Sequence, residues 1–226
     1  MIPRSLIHVD GWKFVGIFAA VTLFLFIVSN FLGVVGLLLT AWCIYFFRNP
    51  ERVTPKRSGL IISPADGKVV MIKDVVPPQE FDMGTEPLIR ISIFLNVFDV
   101  HINRIPLSGT LQKIIYHPGK FFNASLDKAS DHNERQAIII ESEKGIKLAC
   151  VQIAGLIARR IRTDIHEGES VQTGYRYGLI RFGSRADIYL PRGVAPLVCE
   201  GQYMIGGETV LADLESLESK REGEQR

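Results

Sequence analysis

Four short segments hold the residue types that covalent and proton-transfer chemistry needs. They are Ser63-Pro64-Ala65-Asp66-Gly67, Phe98-Asp99-Val100-His101-Ile102-Asn103-Arg104-Ile105-Pro106, Tyr116-His117-Pro118-Gly119 and Arg181-Phe182-Gly183-Ser184-Arg185. A serine hydroxyl is a weak nucleophile until a base takes its proton. Imidazole, with a reference pKa near ~6.5, gives and takes protons around neutrality. A carboxylate that orients the imidazole completes an arrangement recurring on unrelated folds. Ser184, His101 and Asp66 supply these three groups. Gly183 before the serine lacks a Cβ and tolerates the strained backbone that attack on its own carbonyl requires. Singly the segments say little: Asp66-Gly67 reads as a turn, His101 as a structural histidine, Gly183-Ser184 as a bend between strands. Their order and spacing carry the weight.

The elements that must position them fall into two kinds. From Phe14 to Phe47 there is no charged residue in 34 positions. A single spanning helix needs only ~20, and Ser29-Asn30 and Gly33 sit where a turn would fall, so the run predicts a tight hairpin of helices, Phe14–Val28 and Phe31–Phe47. Lys13 flanks one end and Arg48, Arg52, Lys56 and Arg57 the other. Positive charge on both sides places both ends on the cytoplasmic face of a cell membrane, as a hairpin allows. A cleaved signal peptide fits poorly, since the run continues past any small-residue cleavage site. Residues 1–48 are thus expected to anchor the chain, 49–59 to link, 60–213 to form the chemical domain and 214–226 a charged, solvated tail.

Within the domain, Ile89, Ile91, Ile93 and Leu95 alternate with Arg90, Ser92 and Phe94, predicting a strand with one buried face. Similar runs are Val69–Ile72, Thr110–Tyr116, Ala137–Glu141, Lys147–Ile153, Leu179–Phe182, Ala186–Leu190 and Thr209–Ala212, with a hairpin turn at Glu143-Lys144-Gly145. Asn123–Asp131 has room for a helical turn or two. The expected fold is mainly β, a sandwich or barrel of many short strands behind an N-terminal hydrophobic helical hairpin. A net charge of +2 without aromatics interleaved among basic clusters excludes nucleic acid as the partner. Cysteines 43, 150 and 199 have neither metal nor disulfide-framework spacing, and no metal is expected.

From the apolar run to about Ala212 the chain resembles the phosphatidylserine decarboxylases of the short bacterial and archaeal type. Phe182-Gly183-Ser184-Arg185 matches the family's Gly-Ser cleavage motif, Asp66-Gly67 its upstream Asp-Gly, His101 with Pro106 its histidine before a proline, and Pro118-Gly119 its Pro-Gly segment. Longer members carry a second histidine two residues before that proline; here Arg104 stands there. The resemblance implies a proenzyme cut between Gly183 and Ser184, with the two chains remaining together as a heterodimer whose further oligomerisation is open. The cofactor would be a covalent pyruvoyl group made from Ser184. It would form a Schiff base with phosphatidylserine and release CO2, leaving phosphatidylethanolamine in the bilayer. His101 is then the base for cleavage and proton donor in turnover, oriented by Asp66. Arg104, His117, Arg181, Arg185 and Phe121 are the substrate-binding candidates: the arginines for phosphate or carboxylate, His117 as a lining group and Phe121-Phe122 as an apolar wall for acyl chains.

Two other readings use the same residues. A pyruvoyl-dependent decarboxylase of a soluble amino acid would need no hairpin. A non-enzymatic, membrane-tethered carrier module is suggested by Gly201–Ala212 (GQYMIGGETVLA) and Ser63–Val70, which resemble hairpins of biotinyl and lipoyl carrier folds, yet Gly201–Ala212 has no lysine to modify.

Overall fold

The computed structural model describes residues 6–119, 133–155, 161–181 and 183–224. The chain divides into two compact units: Ile2–Glu51 with Phe98–Val100, and Arg52–Val97 with His101–Arg226. Their boundary falls within the segment expected to be a linker.

In the first unit, α1 (Gly11–Val28) and α2 (Asn30–Phe46) are joined by Ser29 alone, held extended. At 1.5 Å per residue the helices are ~27 and ~26 Å long. Small residues let them approach: a Cβ on Gly33 would lie 2.1 Å from the Phe26 ring, and one on Gly36 2.8 Å from Thr22 Oγ1. The Thr22 and Thr40 hydroxyls lie 2.9 Å apart, each with the carbonyl four residues back in its own helix also in reach, so one donates across the pair while the other donates to its own helix. Both polar groups are thereby satisfied inside an apolar pair, the packing used where lipid replaces water. The outer surface is apolar, with Ile27 and Phe31 largely exposed. By length and composition α1 can cross a membrane, and α2 is a shorter apolar helix. At the hairpin's open end Phe14 stacks on Phe47 at 5.4 Å and the Arg48 guanidinium lies 3.8 Å over the Tyr45 ring.

The second unit is mainly β. Its strands are β1 (Leu60–Ile62), β2 (Gly67–Val75), β3 (Leu88–Leu95), β4 (Ile102–Arg104), β5 (Gly109–His117), β6 (Arg135–Glu141), β7 (Lys147–Ile153), β8 (Ile161–Thr163), β9 (Ser170–Val171), β10 (Arg176–Ile180), β11 (Ser184–Tyr189), β12 (Tyr203–Met204) and β13 (Val210–Asp213). An antiparallel sheet of eight strands runs β12-β2-β3-β11-β7-β6-β5-β9, curled as a half-barrel, beside a sheet β4-β10-β8 and the pair β1-β13. The large core packs one face of the main sheet, including Ile91, Ile93, Ile138, Cys150, Ala186 and Ile188, against Ile61, Ile105, Tyr177 and Leu211. A second cluster, with Phe81, Ala137, Ala149, Val151 and Tyr189, covers the other face.

That second cluster changes the expected reading of β3. Arg90 and Ser92 were to face solvent, but both are buried, because the sheet is covered on two faces where the alternation implied one. β10 starts earlier than expected and ends at Ile180, and β11 begins at Ser184, two residues before its expected start. The strands with no counterpart in the periodicity (β1, β4, β8, β9, β12) have two or three residues, too few to show a period. The expected turn at Asn123–Asp131 lies outside the described residues.

Gly67 is the tightest point of the sheet edge that leads to Asp66. Its φ is +143°, and a Cβ would stand 2.2 Å from the Phe94 carbonyl oxygen, a backbone atom with no freedom to yield. Gly67→Ala is therefore expected to cost about 3 kcal/mol. In a domain of this size that is a fall of roughly 6–12 °C in thermal midpoint, measurable by calorimetry or circular dichroism.

Candidate active site

Ser184 opens β11, the strand gripped between β3 and β7. Its register partner is Leu95, and the next residue, Arg185, pairs with Ile153 of β7 and Phe94 of β3. Gly183, just before it, has φ +60°, a left-handed turn that carries the chain from β10 into β11. Period-2 alternation then sends Ser184, Ala186 and Ile188 to the large core face and Arg185, Asp187 and Tyr189 to the other. The Ser184 hydroxyl is fully buried and makes no hydrogen bond among the described residues. A buried hydroxyl without a partner costs about 1–3 kcal/mol, a cost native cores tolerate where the group has chemical work.

Three of the four segments converge at this end of the sheet. His101 is fully buried, and its carbonyl accepts a hydrogen bond from Ile180 N at 3.2 Å, which fixes it beside the end of β10, four residues before Ser184. The Pro64 carbonyl accepts from Arg104 N at 2.8 Å and from Asn103 Nδ2 at 3.5 Å, bolting the Ser63–Gly67 turn onto β4. Lys68 pairs with Phe94, so only β3 lies between the Asp66-Gly67 turn and Ser184. Asp66 accepts from Gly206 N at 2.7 Å on Oδ1 and from Arg52 Nη2 at 2.6 Å on Oδ2.

Pro118-Gly119 reaches the same end through backbone. A Cβ on Gly119 would lie 2.3 Å from the Asn133 carbonyl carbon, and Asn133 Nδ2 donates to the Ala154 carbonyl at 2.7 Å. Ala154 follows Ile153, the partner of Arg185.

Other candidates are placed elsewhere. His117 bonds Glu80 Oε1 at 2.7 Å and sits on β5, three strands from β11, ~14 Å by strand spacing. Its register line, through Arg135 and Ile153 to Arg185, runs on the face away from the Ser184 side chain. Arg185 is fully buried there, with Nε 2.8 Å from Asp187 Oδ1; Arg90 approaches the same carboxylate at 3.8 Å. Neither His117 nor Arg185 is brought to the serine hydroxyl. Arg104 is buried, donates to the Gly174 carbonyl at 2.9 Å and lies over Gly207. Arg181, partly exposed, directly precedes the turn into β11. Phe121 and Phe122 lie outside the described residues.

Sequence reasoning missed a buried polar chain on the Ser184 face. Gln152 Nε2 donates to Asn103 Oδ1 at 2.8 Å, Thr163 Oγ1 donates to Gln152 Oε1 at 3.3 Å, and Gln136 Nε2 donates to Thr163 Oγ1. The chain ties β6, β7 and β8 to the His101 segment. Its signal was available: Gln136 and Gln152 interrupt otherwise apolar strands, and amides so placed must find partners. Cys150 is no rival nucleophile, since burial pushes its thiol up to about 12 and keeps it protonated. Among the described residues no group of three or more His, Cys, Asp or Glu is placed to hold a metal ion.

A family model described as phosphatidylserine decarboxylase matches residues 39–212. Proteins named phosphatidylserine decarboxylase proenzyme from Cereibacter sphaeroides and Paramagnetospirillum magneticum are each 58% identical over 97% of this chain, and over 94% and 92% of their own lengths. One of the same name from Ruegeria pomeroyi is 59% identical over 92% of this chain and 95% of its own.

Gly183 offers a clean separation of folding from chemistry. Among the described residues nothing lies within 4 Å of where its Cβ would be, so Gly183→Ala meets the left-handed backbone strain, about 1–2 kcal/mol. The variant is expected to fold, by circular dichroism, while the acyl shift expected from the sequence slows roughly tenfold or more, because the strained carbonyl is no longer held for attack. Gel analysis of fragment formation over time measures it.

Proposed function

Since the chain belongs to the phosphatidylserine decarboxylase family, we propose that it is a proenzyme which cuts itself between Gly183 and Ser184 and then decarboxylates phosphatidylserine. The observation that carries this reading is the buried, partnerless Ser184 hydroxyl directly after a left-handed glycine. Attack of Ser184 Oγ on the Gly183 carbonyl carbon closes a five-membered ring, and expulsion of the Ser184 nitrogen leaves an ester. His101 takes the hydroxyl proton, and Asp66 orients its ring. Loss of the Ser184 α-proton expels the Gly183 carboxylate and leaves dehydroalanine. Its imine tautomer consumes one water, releases ammonia and becomes the pyruvoyl end of the smaller chain.

The buried serine, with no hydrogen-bond partner among the described residues, fits the precursor of such a group. When formed, the pyruvoyl carbonyl supplies an electrophile for the substrate amine and an acceptor for the electron pair left as CO2 departs. His101 then returns a proton to the substrate carbon. Arg181, partly exposed before the cut, suits the lipid phosphate, and Arg104 the substrate carboxylate.

The two chains stay together because they share sheets. β11, β12 and β13 belong to the smaller chain, and pair with β3 and β7, with β2 and with β1 of the larger. Ala186, Ile188 and Tyr189 are buried in those pairings, and a buried isoleucine alone contributes ~1.5–3 kcal/mol. The helical hairpin anchors the unit to the membrane with both ends cytoplasmic, as the basic residues flanking it favour.

The test is CO2 release from labelled phosphatidylserine in vesicles, with free serine as comparison. The wild-type protein should act on the lipid at least ~100-fold faster than on serine, since binding energy from the remote lipid is used at the reacting centre. Ser184→Ala should stay whole and inactive. CO2 release by uncut Ser184→Ala, or equal rates on serine and lipid, would overturn the reading.

A further inference from the structure

Arg52 lies in a stretch whose charges suit a membrane-flanking linker, yet it is built into the candidate site. Its Nη2 stands 2.6 Å from Asp66 Oδ2, and the two side chains are only 16% and 14% exposed. The surrounding chain is fastened to the same unit. Val53 N donates to Glu208 Oε1 at 3.0 Å, the Thr54 side chain packs against Gly174, and Arg57 pairs with Asp213 at 2.5 Å. Gly206 and Gly207 make the close fit possible. A Cβ on Gly206 would come within 2.9 Å of the Ala65 backbone, and one on Gly207 within 2.6 Å of Arg104 and 3.5 Å of Arg52. The paired glycines of Gly201–Ala212 thus lie flush against the Asp66 turn with both arginine side chains beside them.

We propose that Arg52 is a positioning residue for self-cleavage, acting through the carboxylate of Asp66. The proposal rests on the reading in which Asp66 orients His101. Gly206 N holds one carboxylate oxygen and Arg52 the other. Donors on both oxygens stop the group from turning about its Cβ–Cγ bond, which a single donor does not. An ionised carboxylate offers about four acceptor directions, and this clamp takes two of them. A carboxylate loosened at one oxygen lets the ring it orients drift, and misplacements near 1 Å cost about 10²-fold in rate. The first residue of the second unit is thereby part of the cleavage apparatus, not a spacer.

The experiment uses the full chain, made by cell-free synthesis, and follows the small fragment over time in wild type, Arg52→Gln, Arg52→Lys, Asp66→Asn and the double variant Arg52→Gln/Asp66→Asn. Thermal melting of Ser184→Ala with and without Arg52→Gln reports on folding alone. Arg52→Gln should cut about tenfold slower or more, and Arg52→Lys should recover most of that. The double variant should be within about twofold of Asp66→Asn, the non-additivity expected of residues acting as one unit. The melting midpoints should agree to within about 3 °C. Wild-type cutting by Arg52→Gln, no recovery with lysine, independent multiplication of the two defects, or a large fall in melting would each overturn the proposal. If Asp66→Asn blocks cutting outright, the lysine recovery and the melting comparison decide. Wild-type protein that never cuts would remove the self-cleavage reading itself, a result distinct from normal cutting by Arg52→Gln.

Discussion

β11 lies between β3 and β7: Ser184 pairs with Leu95 of β3, and from Arg185 onward the strand is held on both edges by inter-strand hydrogen bonds. The residue before it turns through a left-handed conformation to arrive there. One side of the proposed scissile bond is thus held by the sheet, and the other is a bend with nothing among the described residues near its glycine Cβ position. Everything else in the site follows from that contrast. In the proposed cleavage Ser184, as nucleophile, could not wander, because it is a sheet residue. The acyl part could be released, because it is the end of a turn. Severing that bond would remove no strand from the core, since β11, β12 and β13 would remain paired to strands that precede the cut.

Around this point the polar residues form a frame rather than a scatter of surface charges. The Pro64 carbonyl, Asn103, Gln152, Thr163 and Gln136 run as one hydrogen-bonded chain on the serine's face, buried except at the half-buried Thr163. Removing one amide would strand its partners in a low-dielectric interior, which costs more than the bond itself contributes. The other face has its own buried ion group, Arg90 and Arg185 about Asp187, separated from the serine by the sheet. A neutral hydrogen-bonded chain and an ion group occupy opposite sides of one strand without competing.

Much of this was legible in the amino-acid order. The uncharged run gave the two helices and a turn at Ser29-Asn30 and Gly33, which the structure narrows to Ser29 alone, and the longer apolar runs gave the strands of the main sheet. The four segments were identifiable because serine, histidine and aspartate stand beside glycine and proline at positions where turns enter strands. Arg185 shows where the reading stopped short: flanking the cut in sequence looks like proximity, but adjacent residues of a strand point to opposite faces. Strands of two or three residues had no period to find. Arg52 was legible only as a positive charge near an apolar run, because its partner, Asp66, is set by how the Gly206-Gly207 turn packs. Burial of both sheet faces hid Arg90 and Ser92, since alternation cannot distinguish a solvent-facing polar residue from one covered by a second cluster.

The central claim is that Ser184 becomes the end of a new chain by its own chemistry. Intact-mass spectrometry of purified, denatured wild-type protein tests it most directly. The account predicts two masses: one for the chain ending at Gly183, and one for the chain beginning at residue 184, lighter than the simple hydrolysis product by one ammonia. A single uncut mass in a preparation that releases CO2 from phosphatidylserine would contradict it, as would a small chain carrying an unmodified N-terminal serine.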